Sequence, residues 1–552
     1  MKEFAEKYMS KRQCLILIPF AVIYAIFMVW TKWDELAVLN GGQGFLKVFL
    51  WALVSYVILL ALCVGITFLQ DFISDWKIKL QKISEQTDKE QTSERTVRQA
   101  KWYIFAIFFV VCFVCWLPYF LIYFPGWISN DSVWQLEQAC GWVSGSNHHP
   151  YAHTMIIKAF FMLGYRIFGT YTGACAVYTV VQMLVMAGIY AFLLFWLYRK
   201  GTSLIAIILA LLFYAILPMN GIYAICMGKD VFFSGALLLY AWMSGRLAIA
   251  LVKKQEIKTS EVIWYFIFGV AVCLLRSNGI FVFLGTSFIM AILCLVYKNW
   301  KKLFVAMGAV LLCYVVWQGP ILNALEVEKG DTIEGLTMPT QHILNAYLNG
   351  GTVTEEELEL LNAVIPMDTV ASYHNPYFFD IVKNYIREAG NQEVIAENKG
   401  EFFKIWLQIG LRSPKQYLEA EIKQTQGYFA RKTTDFQYVY EQYLMATNPF
   451  EMTTERKVFT YDFGLAVDAF LLKFQEAYNK VWSLGINTWL MFFAFAYATY
   501  RRKNVMIFVP YVMVLVSLLL ATPVHAEFRY AYGIFVALPI LLCEGLGKEK
   551  EV

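Results

Sequence analysis

The chain has 552 residues, 59% of them hydrophobic and only 16% charged, where a soluble domain carries about 45–50% apolar and about 25% charged residues. That balance excludes an ordinary soluble protein and points to an integral membrane protein of many spans, and a net charge of only +4 offers no basic surface for nucleic acid. The eleven cysteines show no metal spacing: Cys112 and Cys115 sit inside an apolar run, and residues 320–481 contain none, so no disulfide scaffold is expected.

A helix needs about 20 apolar residues to cross the hydrocarbon core. In chain order such runs lie near 14–30, 45–69, 102–124, 172–198, 202–218, 231–252, 262–276, 279–297, 303–318, 482–500, 504–521 and 530–546. The first follows Lys11 and Arg12 without a small-residue cleavage site, so it reads as a span and not as a leader. The expected fold is therefore all-α and polytopic, with about 12 transmembrane helices. Cations cluster at Lys11-Arg12, across 77–101, and at Arg199-Lys200, Lys253-Lys254-Lys258, Lys298-Lys301-Lys302, Arg501-Arg502-Lys503 and Lys548-Lys550. Twelve spans with the N-terminus inside place all of them in the cytoplasm, as the positive-inside bias requires. Residues 151–169 would invert that scheme if they crossed; they carry Lys158 and Arg166 and read as an amphipathic helix at the outer interface.

The organisation that follows is two N-terminal spans over 1–69, a charged cytoplasmic loop at 70–101 expected to be helical, a membrane core at 102–318 with an external loop at 125–171, an extracytoplasmic domain at 319–481, and C-terminal spans over 482–552. The external domain has helical signals. Thr354 and Glu357 make a capping box, and Ser413-Pro414 is an N-cap followed by a first-turn proline. No Gly-rich phosphate loop follows a strand.

With this topology the unusual polar residues collect on the outer face: Asp131, His148 and His149 in the first large loop, Lys229 and Asp230 in "MGKDVFF", Arg276 in "LLRSNG", and His525, Glu527, Arg529 and Tyr530 in "PVHAEFRY". Short external loops normally avoid cations. One alone reads as a snorkelling anchor; Lys229, Arg276 and Arg529 together read as a grip on a lipid phosphate. Asp131 has no cation near it in the sequence, so an ordinary or raised pKa is expected, suited to accepting a proton from a hydroxyl; the same residue in "SNDS" also reads as a helix N-cap. His148 and His149 have three readings: metal ligands with Asp131, phosphate donors, or a cap on the interfacial helix. Asp230 has Lys229 as an adjacent partner. The span centres are almost free of charge, which argues against an ion-coupled transporter.

The segments "PGWISNDSVWQLEQA", "HHPYAHTMIIKAF", "GKDVFFSGALLL", "LRSNG" and "FRYAYGIFVALP", with "MPTQHILNAYLNGGTVTEEELELLNAV", "YHNPYFFDIVKNY" and "SPKQYLEAEIKQTQGYF", resemble a bacterial branch of the GT-C superfamily of membrane glycosyltransferases. The likeness spans about 100–546. It implies a GT-C-like core and a polyprenyl-phosphate-linked sugar as donor. Asp131 would be the acidic residue of the first external loop, acting as general base or acceptor-orienting group. Lys229, Arg276 and Arg529 would bind the donor phosphate, supported by His148, His149, Asp230, His525, Glu527 and Tyr530. The implied acceptor is an envelope glycan, glycolipid or protein, and the implied place is the plasma membrane with the site outside. A divalent metal serves some members and is not required here. The chain departs from the family pattern in placing two spans and a charged loop before the acidic loop. Two other functions fit the topology: a lipid-linked sugar flippase, with polar residues continuing through the spans, and a non-catalytic envelope assembly subunit.

Overall fold

A computed structural model of the protein describes residues 7–85, 101–298, 301–430, 448–452 and 459–547. Among these the chain is helical, with isolated bridges and no β-strand. In chain order the principal helices are α1 (Ile18–Thr31), α2 (Gly41–Glu85), α3 (Trp102–Ile122), α4 (Asn130–Cys140), α5 (Tyr151–Phe168), α6 (Tyr171–Lys200), α7 (Leu204–Ile216), α8 (Pro218–Ile225), α9 (Lys229–Val252), α10 (Thr259–Leu275), α11 (Gly279–Val296) and α12 (Lys301–Val316). There follow α13 (Thr337–Leu348), α14 (Glu355–Val364), α15 (Phe379–Ala389), α16 (Lys399–Arg412), α17 (Pro414–Thr425), α18 (Tyr461–Val481), α19 (Leu484–Tyr500), α20 (Val509–Leu520) and α21 (Phe528–Leu546).

Eight of the described helices are long and apolar enough to cross a membrane, or up to ten if the bent pairs α7–α8 and α18–α19 each count as one span. The protein is thus membrane-embedded by composition and helix length. The expected span over 202–218 ends in a break: Pro218 has no N–H to donate to the preceding turn, and α8 leaves α7 at 53°. The expected span at 482–500 is preceded by α18, which meets α19 at 52° where Ser483 caps the second helix by accepting from Ile486 N. The charged region at 70–101 is helical as expected as far as it is described, since α2 runs unbroken to Glu85; residues 86–100 lie outside the described residues.

Helix α5 is not among the candidate spans. It folds back on α6 as a tight hairpin. Gly169, in the left-handed region at φ 66°, ends it, and Thr170 caps α6 by accepting from Gly173 N. A Cβ on Gly164 would lie 2.7 Å from Ala174 Cα, so only glycine permits this approach.

Among the described residues the two largest hydrophobic clusters lie in different parts of the molecule. One runs through the membrane bundle. The other, built from Ile333 to Ile409, belongs to the helices between α12 and α18. In this second unit the Thr354–Glu357 box is formed as expected. Ser413 precedes Pro414 at the start of α17, but its Oγ accepts from Thr352 N instead of capping the helix. The unit is tied to the bundle by a short zip: Phe379 N donates to Pro523 O, and His525 N donates to Tyr377 O.

Candidate functional site

The site begins with a backbone pairing. Trp127 N donates to Ile225 O, and Met227 N donates to Trp127 O, which lays the segment before α4 beside the segment before α9. Gly126, at φ 141°, makes this possible, since a Cβ there would fall 2.4 Å from Thr179 Oγ1. Ser129 and Ser132 cap α4 reciprocally, and Ser132 Oγ also donates to Met227 O at 2.5 Å. The first turns of α4 and α9 are thereby side by side, and Asp131 and Lys229 sit on them. Asp131 is in the first turn and is not the N-cap, which is Ser129.

Asp131 Oδ2 accepts from Arg529 at 3.0 Å and lies 4.0 Å from Lys229 Nζ. Asp131 Oδ1 lies 3.7 Å from His149 Nε2. Lys229 Nζ donates to His149 Nδ1 at 2.6 Å. An ammonium can only donate, so Nδ1 is the bare nitrogen, and the proton of the neutral ring sits on Nε2, facing the carboxylate. Burial and then Lys229 hold the His149 pKa well below its ordinary value, against the pull of Asp131. His148 is also lowered, by burial first.

The expected ordinary or raised pKa for Asp131 is overturned. Burial by itself would raise it, but Lys229, Arg529 and His149 together outweigh burial and hold the carboxyl well below the usual carboxylate range. The cations come from distant segments, so nothing in the local sequence announced them.

Arg276 and Asp230 form a second, deeper pair at 2.7 Å, with side chains only 9% and 7% exposed. Asp230 therefore pairs with Arg276 and not with its neighbour Lys229. The Arg276 guanidinium lies over the Phe233 and Tyr530 rings, and Arg529 approaches Tyr530 as well. The two ion pairs differ in exposure: Asp131 and Arg529 are 41% and 37% exposed. The inner pair holds the turn that carries Arg529, with Arg276 also reaching the Arg529 and Tyr530 carbonyls at 3.5 Å. Glu527 stands 3.6 Å from Arg529 Nε. His525 is buried between Tyr377 and Phe378, at the zip with the second unit.

Lys229 and Arg529 occupy the first turns of α9 and α21. Helix N-termini carry partial positive charge and normally attract acids. Here two such ends instead carry cations, and both cations meet the Asp131 carboxylate in the first turn of α4.

The second unit roofs this spot. Glu334 lies 3.7 Å from His148, 3.1 Å from Lys383 and 2.9 Å from Arg387. Lys383 also holds Asp380 at 2.5 Å, and Arg387 holds Asp331 at 2.6 Å. The sequence reading missed these five residues. The signal was present in α15, where Asp380, Lys383 and Arg387 share one helical face by their i, i+3 and i+7 spacing. His148 and His149 diverge, one to the roof and one to Lys229. Among the described residues no three His, Cys, Asp or Glu side chains stand together to hold a metal ion.

Beneath the site, Gln182 Nε2 donates to the carbonyls of Ala224 and Cys226, Tyr178 donates to Gln182 Oε1, and Tyr178 meets His153 Nε2 at 2.9 Å. Burial pushes His153 down to about 3, so it is neutral. This chain of amides and hydroxyls fixes α4, α5, α6 and α8 against one another.

The chain belongs to the family of unknown function DUF6020, whose profile matches residues 145–551. That stretch contains every residue of the cluster except Asp131. No curated protein and no solved structure matches the chain.

Proposed function

We propose that this member of DUF6020 is a membrane glycosyltransferase that moves a sugar from a polyprenyl-phosphate donor to a cell-envelope acceptor at the outer face of the plasma membrane. The observation that carries the reading is the convergence of Lys229 and Arg529, on two helix N-termini, upon the half-exposed Asp131. Cations so placed suit the phosphate of an anionic lipid carrier, and the carboxylate beside them suits an incoming hydroxyl. The eight candidate spans, the two bent pairs and the two shorter apolar helices at Thr259–Leu275 and Met506–Leu520 are compatible with twelve crossings and a GT-C-like core.

In the proposed reaction the acceptor hydroxyl oxygen attacks the anomeric carbon. The bond from that carbon to the phosphate oxygen breaks, and its electron pair leaves with the polyprenyl phosphate. The hydroxyl proton passes to Asp131. In the unliganded site Asp131 is a weak base because Lys229 and Arg529 stabilise its anion. A donor phosphate drawn to the same cations neutralises them and adds negative charge, which raises the proton affinity of Asp131 when the acceptor arrives. As charge builds on the leaving phosphate, Lys229 and Arg529 stabilise it. Arg276 is committed to Asp230, so its part is to position the Arg529–Tyr530 turn and not to bind the donor directly.

The test is transfer of sugar from a polyprenyl-phosphate donor in proteoliposomes by D131N, K229Q and R529Q. Each is expected to lower transfer by about 100-fold or more, as loss of a single transition-state donor or base does, with melting temperature retained. Full transfer by D131N would remove the enzyme reading, and scrambling of the donor lipid without transfer would replace it with a flippase.

A further inference from the structure

The link between α20 and α21 carries Arg529 into the outer cluster, and four consecutive residues of it are bonded to the second unit. Thr522 O accepts from Gln424 Nε2 at 2.9 Å, Pro523 O from Phe379 N at 2.8 Å and Val524 O from the Tyr428 hydroxyl at 3.1 Å, while His525 N donates to Tyr377 O at 3.0 Å. A Cβ on Gly427 would run into Ala526 and the His525 carbonyl, so the chain leaving α17 approaches the link as closely as glycine allows. From the bundle, Arg276 reaches the carbonyls of Arg529 and Tyr530. Arg529 is thus held from two sides, and its 3.0 Å contact with Asp131 depends on both.

Gln424 is central to the hold from the second unit. It is fully buried, and its amide works in both directions: Nε2 donates to Thr522 O, and Oε1 accepts from Gln341 Nε2 at 2.8 Å. Gln341, on α13, also donates to Asn375 O at 2.9 Å. One relay of amides therefore joins α13, the segment before α15, α17 and the link. A carboxamide gives and accepts at once. A carboxylate in its place keeps the bond from Gln341 but sets oxygen against oxygen at Thr522, and an alkyl side chain leaves the buried Thr522 carbonyl without this donor.

We infer that Gln424 is a positioning residue for Arg529: buried away from any ligand, it ties the α20–α21 link to the second unit and so sets how Arg529 meets Asp131 and the anion that the cluster takes. The effect on ligand binding rests on the glycosyltransferase reading; the tie to the link does not.

The experiment compares the full chain in detergent with Q424E, Q424L, R412M, R529Q and Q424E/R529Q, by amide hydrogen exchange and by calorimetric titration of farnesyl phosphate. R412M is the control. It breaks the Arg412–Glu357 pair of the same unit, about 18 Å along α17 from Gln424, and is expected to lower the melting temperature without touching the link. Exchange across 521–530 is expected to rise about ten-fold in Q424E and Q424L and to stay within about two-fold of the wild type in R412M. Farnesyl phosphate is expected to bind about ten-fold more weakly to Q424E and with unchanged affinity to R412M. In the R529Q background Q424E is expected to add nothing further, an outcome that a general loss of stability does not produce. Unaltered exchange in Q424E and Q424L, equal affinity in Q424E despite raised exchange, or a ten-fold loss that persists in R529Q would each overturn the inference. A wild type that binds no farnesyl phosphate, with exchange still raised in Q424E, would count against the glycosyltransferase reading and leave the positioning of the Arg529 segment supported.

Discussion

Asp131 occupies the cations that the proposed anionic carrier would need, so removing its charge should have an effect opposite to that of removing an ordinary binding residue. In D131N the amide keeps the shape of the side chain but no longer attracts Arg529 at 3.0 Å or Lys229 at 4.0 Å. With an effective dielectric of about 20, each contact is worth on the order of 4–6 kcal/mol before solvation. Asp131 is two-fifths exposed, and solvent screening and the lost hydration of the freed cations reduce the net coupling to about 1–2 kcal/mol, between the values for surface pairs and for close desolvated pairs. An anionic ligand no longer competing with that carboxylate should bind about 5–30-fold more tightly. Titration of farnesyl phosphate into the purified protein, followed by calorimetry at fixed low salt, reads this directly and needs no turnover. Tighter binding together with lost transfer separates competition from catalysis. Equal or weaker binding of farnesyl phosphate by D131N would refute the claim that Asp131 and the ligand phosphate share these two cations.

Three other outcomes follow from the geometry. Burial is the larger cause of the depressed His149 pKa and Lys229 the second, against the pull of Asp131; K229M removes only the second, so the ring pKa should rise while staying below the usual 6.5, and farnesyl phosphate binding, weakened at about pH 7.5, should recover in part as the pH falls through that raised value, whereas the wild type shows no such recovery. R276M leaves Asp230 buried and unpaired and should cost about 3–5 kcal/mol, seen as a large fall in melting temperature, while R276M/D230L restores most of it. His153 is fully buried with its pKa pushed down to about 3: its unfolded form takes up a proton below about 6.5 and its folded form does not, so stability is full above that value and falls on acidification. The loss reaches about 2–3 kcal/mol by pH 4.5, and H153Q should flatten the dependence of melting temperature between pH 6.5 and 4.5; an unchanged slope would show that other groups govern it.

Much of the helical framework was legible because its causes are local. Runs of apolar residues near 102–124 and 279–297 become α3 and α11, since spanning length and internal hydrogen bonding need no partner. The Thr354–Glu357 box is formed for the same reason: donor and acceptor lie three residues apart. The break at Pro218 was visible in principle in the proline itself, but the bend between α18 and α19 was not, because a change of direction depends on what each helix packs against.

The residues of the cluster that lie at the ends of apolar runs could be singled out from the chain, since cations and carboxylates there are costly and stand out; those of the second unit could not. Nor could the partners of either. Asp131 meets Arg529, 398 residues away, and Asp230 turns from the adjacent Lys229 to Arg276, because successive helical side chains point to different sides of the axis. A pKa is set by charges in three dimensions, so the sequence alone suggested an unperturbed carboxylate where the fold supplies a strongly stabilised anion. Composition and periodicity determine that this is a polytopic helical protein with its charges at the ends of its spans; which of those charges neutralise one another is decided only when the helices pack, since Coulomb energy depends on separation in space and not on separation along the chain.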